Sequence, residues 1–247
     1  MTGEPKSGEK ALDRAHWSKV ARQWIAWARS PNHDAFWAYR KALVSFIGPG
    51  DGEALDVGCG EGRVSRELKT LGYRVVAADA AIAMTTAAAE ADSAHSYAVA
   101  GAEALPFADN HFDLVVAYSV LMDVADPPAA LKEMARVMRP RGRLVMSIVH
   151  PFADCGAFAD ASPDAPFVLK EDYFGRRRFE GVEERAGLRM EFAGWSQPLE
   201  SYALALEQAG LTIASLREPR PEQGDDWRHF ARWTRVPLFL WLTARRA

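Results

Sequence analysis

Residues 55–63, LDVGCGEGR, decide the fold of this chain. The apolar run at 54–57 predicts a short buried strand, and glycines follow it at alternate positions. Val64, Leu68 and Leu71 then recur at helical spacing, so the stretch predicts a strand, a glycine loop and a helix in succession. Glycines in such a loop allow backbone N–H groups to approach a ligand closely, which predicts a ligand site at the carboxyl end of the strand.

An acidic residue follows the glycine loop at the spacing expected of a ribose-binding carboxylate. Asp79 ends the second predicted strand, about 20 residues after the glycines, where a carboxylate can hydrogen-bond a ribose diol. A bound nucleoside is therefore predicted, and a glycine-rich turn without any ligand is the alternative. The spacing is G-x-G-x-G rather than the G-x-G-x-x-G of dinucleotide sites, and Glu61 would place negative charge beside a pyrophosphate. We therefore expect a ligand without phosphates.

The rest of the chain alternates between short apolar runs and amphipathic segments, which is typical of a parallel α/β sheet. Pro140-Arg141-Gly142 is expected to turn the chain into one of the later strands. Strands are predicted at residues 54–57, 73–78, 96–99, 113–119, 144–149, 212–216 and 238–243.

Helical periodicity and turn residues divide the chain into units. Ser30-Pro31-Asn32 interrupts the N-terminal helical pattern, and a long aromatic-rich segment after residue 150 lacks helical periodicity. An insertion of that length in an α/β domain is more often functional than incidental. The predicted units are a disordered tail at 1–12, an N-terminal helical cap at 13–48, a ligand-binding core at 49–150 and 198–247, and a substrate-binding insertion at 151–197.

Composition excludes several classes of protein. The 247 residues carry a formal net charge of −3, which gives no global attraction to nucleic acid. No stretch approaches the roughly 20 apolar residues of a membrane helix. Cys59 and Cys155 lack the spacing of a disulfide framework or a metal site. We therefore expect a cytoplasmic protein, monomer or homodimer, with no metal and with neither nucleic acid nor membrane as a partner.

Several motifs together resemble one family. The LDVGCGEGR loop, Asp79, the run AEALPF at 102–107, FDLVV at 112–116 and EMARVMRPRG at 133–142 resemble the class I S-adenosylmethionine-dependent methyltransferases. The resemblance covers roughly residues 50 to 150. It implies a three-layer, doubly wound, Rossmann-like α/β fold whose seven strands follow the order 3-2-1-4-5-7-6 with the last strand antiparallel.

The resemblance also implies that S-adenosylmethionine is the cofactor. Gly58 and Gly60 would lie along its methionine part, Asp79 on its ribose, and Ala102 with Glu103 beside its adenine. Where relatives carry Asp before the AEALPF run this chain has Gly101, so a backbone carbonyl or Glu103 would replace the usual adenine contact. The full set of expected cofactor-binding residues is Asp56, Gly58, Gly60, Asp79, Ala80, Ala102, Glu103, Tyr118, Trp27 and Arg29.

Two residues are candidates for catalysis. His150 ends the fifth predicted strand, at the sheet edge where active sites of doubly wound folds lie, and could act as a general base. Its alternative role is a hydrogen bond to a loop carbonyl. Asp123 follows the fourth predicted strand, and could bind an acceptor ammonium or hydroxyl group, or simply cap a helix.

We therefore expect methyl transfer by in-line displacement to an oxygen or nitrogen of a small, mostly apolar molecule of the natural-product kind. One alternative is a peptide or amine acceptor whose ammonium group binds Asp123 and Glu183 or Glu184. Another is a protein that binds the cofactor without transferring its methyl group.

Overall fold

The computed structural model describes residues 7–31 and 33–247, and its regular elements follow the predicted alternation of strands and helices. The helices are α1 Ser7–Arg29, α2 Ala35–Ile47, α3 Arg63–Thr70, α4 Ile82–Glu90, α5 Pro127–Val137, α6 Pro151–Asp154 and α7 Leu199–Gln208, with a 3-10 helix at Asp225–Thr234. The strands are β1 Glu53–Val57, β2 Arg74–Asp79, β3 Ser96–Val99, β4 Phe112–Tyr118, β5 Met138–Val149, β6 Gly156–Phe158, β7 Phe167–Leu169, β8 Arg177–Arg185, β9 Leu188–Ser196, β10 Leu211–Arg217 and β11 Phe239–Arg246.

One sheet of seven strands forms the centre of the molecule, in the order β10-β11-β5-β4-β1-β2-β3. Leu55 of β1 pairs with Val76 of β2 on one side and with Val115 of β4 on the other, in parallel. Strand β11 runs antiparallel to both β5 and β10. The predicted order and the single antiparallel strand are therefore confirmed.

Both faces of the sheet are covered, so the fold has three layers. On one face Leu131 and Met134 of α5 and Leu206 of α7 are fully buried against the sheet. On the other, Tyr39 of α2 and Leu68 of α3 pack on buried strand residues. Burial on both faces explains why the central strands are continuous apolar runs rather than alternating ones.

The N-terminal unit differs from its predicted bounds. Helix α1 begins at Ser7, so residues 7–12 of the predicted tail are helical, while residues 1–6 lie outside the described residues. The predicted break between the helices is present, and Asp34 caps α2 by accepting a hydrogen bond from the Phe36 N–H at 2.8 Å. Because α2 packs directly on the sheet, only α1 lies over the core as a cap.

The insertion at 151–197 folds into α6 and two antiparallel hairpins, β6–β7 and β8–β9. Strand β9 is fixed to the loop after β4, because the Trp195 N–H donates to the Met122 carbonyl at 2.7 Å. It is also fixed to α1, since the Gln23 side chain accepts from the Glu191 N–H at 3.1 Å. The insertion and the cap therefore form one continuous wall.

The turn expected at Pro140-Arg141-Gly142 lies inside β5 instead. Met138 pairs with Phe112 of β4, but Arg143 already pairs with Leu114. Residues 139–142 thus bulge opposite a single position of β4, so the proline and glycine produce an irregularity within the strand rather than an end to it.

Candidate active site

A cavity of about 630 Å³ lies at the carboxyl ends of the parallel strands. This volume falls within the range of about 300–1,000 Å³ that small-molecule sites occupy. One part is lined by loops after β1, β2, β3 and β4, and another by α1, the β8–β9 hairpin and the 3-10 helix. The expected site residues that line it are Asp56, Gly58, Gly60, Asp79, Ala80, Ala102, Glu103, Tyr118, Trp27 and Asp123.

The glycine loop has a backbone that only glycine adopts readily. Gly58 and Gly60 have φ values of 65° and 55°, in the left-handed region. A Cβ on Gly58 would lie 2.5 Å from the Val120 side chain, and one on Gly60 would lie 3.0 Å from the Trp24 indole nitrogen. The loop is therefore a cradle without side chains that leaves room for a ligand against the backbone.

Asp79 holds this loop in place. Its Oδ2 accepts a hydrogen bond from the Gly60 N–H and its Oδ1 accepts one from the Ala81 N–H, both at 2.9 Å. Burial raises the pKa of the Asp79 carboxyl, and the backbone hydrogen bonds oppose this rise. Each carboxylate oxygen keeps a second lone pair, so the same group can also accept from a ribose hydroxyl.

Asp56 supports the loop from below. Its buried carboxylate accepts a hydrogen bond from the Ser65 hydroxyl at 2.5 Å, which joins the end of β1 to the first turn of α3. Burial raises the pKa of Asp56 to about 7. Asp56 lines the cavity. Its hydrogen bond with Ser65 indicates that it positions the glycine loop relative to α3.

Glu61 does not play the part that the sequence suggested. Its carboxylate is fully buried and paired with two guanidinium groups, Arg66 at 2.9 Å and Arg29 at 3.1 Å. Because its charge is neutralised, Glu61 gives no argument against a phosphate group. Arg29 also donates to the Ala87 carbonyl at 2.8 Å. It is not among the residues that line the cavity, so the structure gives no support for its expected place beside the methionine end, which stays untested.

A buried arginine that the sequence analysis missed closes the cavity beneath α1. The Arg63 guanidinium lies 4.6 Å from the Phe36 ring and 4.8 Å from the Trp24 ring, and pairs with Asp34 at 2.6 Å. Tyr118 lies on its other side, and burial raises the pKa of that phenol. Arg63 opens α3 directly after the glycines, and no feature of the sequence separates it from a surface arginine.

The remaining part of the cavity is mainly aromatic. Trp27 contacts Phe192 of β9 edge to face at 6.2 Å between ring centroids. Arg185 of β8 lies over both Trp27 and Phe230, and donates to the His33 carbonyl. The aromatic residues of this wall are Trp24, Trp27, Phe179, Phe192, Phe230, Trp233 and Phe239. The 3-10 helix supplies two of them, Phe230 and Trp233. It could not be predicted from the sequence because it lacks the apolar periodicity of a longer helix.

Of the three acidic residues expected to bind an acceptor ammonium group, two line the cavity and one does not. Asp123 lines the cavity, on the loop that β9 holds. Glu183 of β8 also lines it, whereas Glu184 accepts a hydrogen bond from Arg189 at 3.3 Å and does not. Strand alternation explains this result, because neighbouring residues of β8 point to opposite faces.

His150 does not face the cavity. Its Nδ1 accepts the Phe152 N–H at 3.1 Å and caps α6, while its Nε2 lies 3.1 Å from the Glu218 carboxylate. Burial lowers the pKa of His150, and Glu218 opposes this change. Both ring nitrogens have partners and His150 is not among the residues that line the cavity, so this geometry does not support the expected role as general base, which stays untested.

Asp154 was not identified from the sequence, although it lies four residues after His150. It ends α6, lines the cavity, and its pKa is raised to about 7 by burial. The positive charge of Arg177 and a hydrogen bond with the Ser196 side chain oppose that rise in pKa. The available signal in the sequence was a carboxylate shortly after the fifth strand of the sheet.

Metal chemistry has no ligand set within the described part of the chain. No group of three or more His, Cys, Asp or Glu side chains there is arranged to hold a metal ion. Among the same residues, no helix is long and apolar enough to cross a membrane.

Comparison with known proteins shows the family. Residues 55–146 match the model of a methyltransferase domain. A demethylmenaquinone methyltransferase of Mycobacterium sp. (strain JLS) is 35% identical over 188 residues, which cover 68% of this chain and 77% of that protein. The chain belongs to the S-adenosylmethionine-dependent methyltransferases.

Solved structures agree with this methyltransferase fold. An S-adenosylmethionine-dependent methyltransferase from Mesorhizobium loti has a TM-score of 0.66 at 22% identity, over 86% of this chain and 98% of that one. The 1,6-didemethyltoxoflavin-N1-methyltransferase of Burkholderia thailandensis, solved with its substrate and S-adenosylhomocysteine, has a TM-score of 0.60 at 16% identity. That match covers all of this methyltransferase (100%) and 92% of the other chain.

The cofactor of this methyltransferase is S-adenosylmethionine, and the site fits it. Glycines cradle the expected position of the methionine part, a carboxylate stands where the ribose would lie, and the cavity is large enough to admit an acceptor beside the cofactor. The bound cofactor supplies an electrophilic methyl group on a sulfonium. The protein's residues must then bind, orient and shield the reactants.

Proposed function

We propose that this methyltransferase transfers the methyl group to an oxygen or nitrogen of a small, mainly apolar, ring-containing molecule of the natural-product kind. The observation that carries the proposal is the aromatic wall of the cavity, built by the cap, the insertion and the 3-10 helix. Aromatic side chains bury flat apolar ligands well and orient them through edge and face contacts.

We also propose roles for the residues that line the cofactor part of the cavity. Gly58 and Gly60 would run along the methionine part, with Asp56 supporting them, and Asp79 with Ala80 would bind the ribose. Ala102, Glu103 and Tyr118 would complete the adenine and sulfonium surroundings, and Trp27 would close the site from α1. These assignments rest on the cavity lining and on the hydrogen bonds of Asp79.

Positioning would supply much of the rate acceleration. An in-line displacement needs the acceptor atom held close behind the methyl group, and a closed aromatic chamber restricts how a flat ligand can lie. The named activities of two relatives support a ring-containing acceptor. One is a demethylmenaquinone methyltransferase and another acts on 1,6-didemethyltoxoflavin.

An amine or peptide acceptor is the second candidate function. Asp123 and Glu183 both line the acceptor part of the cavity, and two carboxylates there suit a cationic amine. Binding of the cofactor without methyl transfer is the weaker alternative, because it gives the aromatic wall no role.

The setting of the enzyme is part of the proposal. The formal net charge of −3 supports the proposal that the enzyme does not bind nucleic acid. We propose a cytoplasmic enzyme, monomer or homodimer, in which the insertion at 151–197 is the main substrate-binding unit. Size-exclusion chromatography with light scattering would decide between monomer and dimer.

The testing experiment measures product with defined acceptors. Purified protein is incubated with S-adenosylmethionine and a panel of naphthols, demethylated quinones, heteroaromatic amines and short peptides, and products are identified by mass spectrometry. We expect methylated ring compounds. Methylation of peptides alone would favour the second candidate. Cofactor binding by calorimetry with no turnover of any compound would favour the binding protein.

Phe192→Ala, with Phe174→Ala as its matched control, tests the aromatic wall. Phe192 lines the cavity, whereas Phe174 lies in the same insertion and is 81% exposed. We expect Phe192→Ala to raise the acceptor KM and leave the affinity for S-adenosylhomocysteine unchanged. Phe174→Ala should change neither, and equal effects of both variants would contradict the assigned wall.

A further inference from the structure

Asp154 is a buried carboxyl group that lines the cavity and, unlike Asp56, lies outside the glycine loop and its supports. It lies at the end of α6, the short helix that follows β5. This position is near the carboxyl ends of the parallel strands, where ligands bind in folds of this kind. The charge of the Arg177 guanidinium acts on this largely buried carboxyl group. Burial makes the charged form of a carboxyl group costly, and carboxyl groups whose protonation is altered in this way are often found at functional sites.

Three elements contribute the groups packed around Asp154. Arg177 of β8 donates to the Asp154 backbone carbonyl, and its positive charge favours the ionised form of the Asp154 carboxyl. Ser196 of β9 hydrogen-bonds the carboxylate, and Tyr202 of α7 and the Cys155 thiol complete its titratable neighbours. The Ser196 hydroxyl therefore helps to orient a carboxyl group that lines the cavity.

Resting on the proposed function, we propose that Asp154 is the catalytic base that accepts the proton of a hydroxyl acceptor held against the aromatic wall. As the acceptor oxygen forms its bond to the methyl carbon, the sulfur–methyl bond breaks and its electron pair stays on sulfur. The acceptor's O–H electron pair stays on oxygen, and its proton passes to an Asp154 carboxylate oxygen. The products are a methyl ether, S-adenosylhomocysteine and a neutral carboxylic acid that later releases its proton to water.

The burial of Asp154 matches this task. A general base works best when its pKa lies near the working pH, and burial raises the pKa of this carboxyl to about 7. Such a base selects acceptors that must lose a proton. Phenols and enols would be the preferred acceptor class, ahead of amines whose nitrogen is already nucleophilic.

The first test uses a series of substituted phenols of graded acidity, with wild type, Asp154→Asn and Asp160→Asn. Asp160 is an exposed carboxylate of the same insertion and serves as the matched control. We expect Asp154→Asn to lower kcat by about 10²- to 10⁴-fold on weakly acidic phenols. The loss should shrink on phenols already ionised at the assay pH. An equal loss across the series, or none, overturns the assignment.

Two further measurements test the protonation of Asp154: the pH–rate profile of Ser196→Ala, and an NMR titration that requires no turnover. Ser196→Ala removes the hydrogen bond that stabilises the charged carboxylate, so the acid limb of the pH–rate profile should move to higher pH. Carbon-13 NMR of labelled aspartate in the S-adenosylhomocysteine complex should show one carboxyl, absent from Asp154→Asn, that titrates near neutral pH. Titration of that carboxyl below pH 5 would overturn the base role.

The same experiments separate this inference from the proposed function. If wild type methylates no ring compound at all, the proposed function fails first. If it methylates amines and quinone carbons but no phenol of the series, the proposed function's substrate class is revised and Asp154 loses its role. If it methylates phenols and Asp154→Asn is fully active, only the assignment of Asp154 fails.

Discussion

Arg29 and Glu61 are joined across the boundary between the cap and the glycine loop, with 3.1 Å between Nε of Arg29 and Oε2 of Glu61. The Glu61 side chain is fully buried and also pairs with Arg66 of α3. Through this contact the end of α1 and the conformation of the loop are coupled. Arg29 can therefore influence the glycine loop although it does not itself line the cavity.

Arg29→Ala tests that coupling. The change leaves the buried Glu61 with one cation instead of two, so we expect a loss of about 1–3 kcal/mol in the free energy of unfolding. Affinity for S-adenosylhomocysteine should fall as well. Arg22→Ala, an exposed position on the same helix, is the control for both calorimetry and denaturation. Identical behaviour of the two variants would argue against coupling.

Asp79→Ala should weaken cofactor binding by about 1–3 kcal/mol, because it removes a charged hydrogen-bond acceptor from the proposed ribose position. It also removes the two bonds that Asp79 accepts from the Gly60 and Ala81 N–H groups, so the loop should loosen. Isothermal titration with S-adenosylmethionine measures the first effect. Unchanged affinity would refute the assignment, and Asp51→Ala controls for loss of charge.

Gly58→Ala should lower cofactor affinity by about tenfold or more, which corresponds to about 1.4 kcal/mol. The new methyl group would meet the Val120 side chain, and φ at this position is 65°. Adding Val120→Ala removes the close methyl groups and should restore part of the affinity. The backbone strain remains, so full recovery in the double variant would show that sterics alone decide this position.

His150→Ala should leave kcat and its pH dependence unchanged, because the imidazole lies outside the cavity lining. The variant loses the cap of α6, which we expect to reduce the free energy of unfolding by about 0.5–2 kcal/mol. Steady-state kinetics and thermal denaturation measure the two effects separately. A large fall in kcat with normal stability would restore the histidine as a catalytic candidate.

Asp56 should make stability depend on pH. Its pKa is 3.8 when unperturbed and about 7 in the folded protein, so the folded state holds the proton more tightly than the unfolded state. Its stabilising contribution is therefore present at low pH and is lost as the pH rises from about 4 to about 7. Asp56→Asn should flatten this part of the curve measured by urea unfolding. Asp51→Asn should leave it unchanged.

Much of the fold could be predicted because local patterns specify it. The glycine loop requires positive φ at Gly58 and Gly60, and continuous apolar runs are typical of strands buried on both faces. Where prediction was wrong, packing overrode local sequence. Pro140 and Gly142 bulge within β5 because β4 stays paired with it before the bulge at Met138 and after it from Arg143.

The candidate site was only partly predictable. Cavity-lining residues that belong to a short motif, such as Asp79, can be located from the sequence. Arg63 and Asp154 cannot, because their importance comes from burial produced by segments far away in the chain. His150 shows the reverse case, since its position at the strand end was correct but its ring turns to Glu218.

The junction between α1 and β9 has a consequence for the history of the enzyme. Its two sides are about 170 residues apart in the chain, as the Gln23–Glu191 hydrogen bond shows. Neither segment alone encloses the acceptor, so a recombination that exchanged only one of them would leave a mismatched wall. New acceptor preferences in this lineage should therefore arise by paired changes in the first helix and the insertion, while the cofactor loops between them stay as they are.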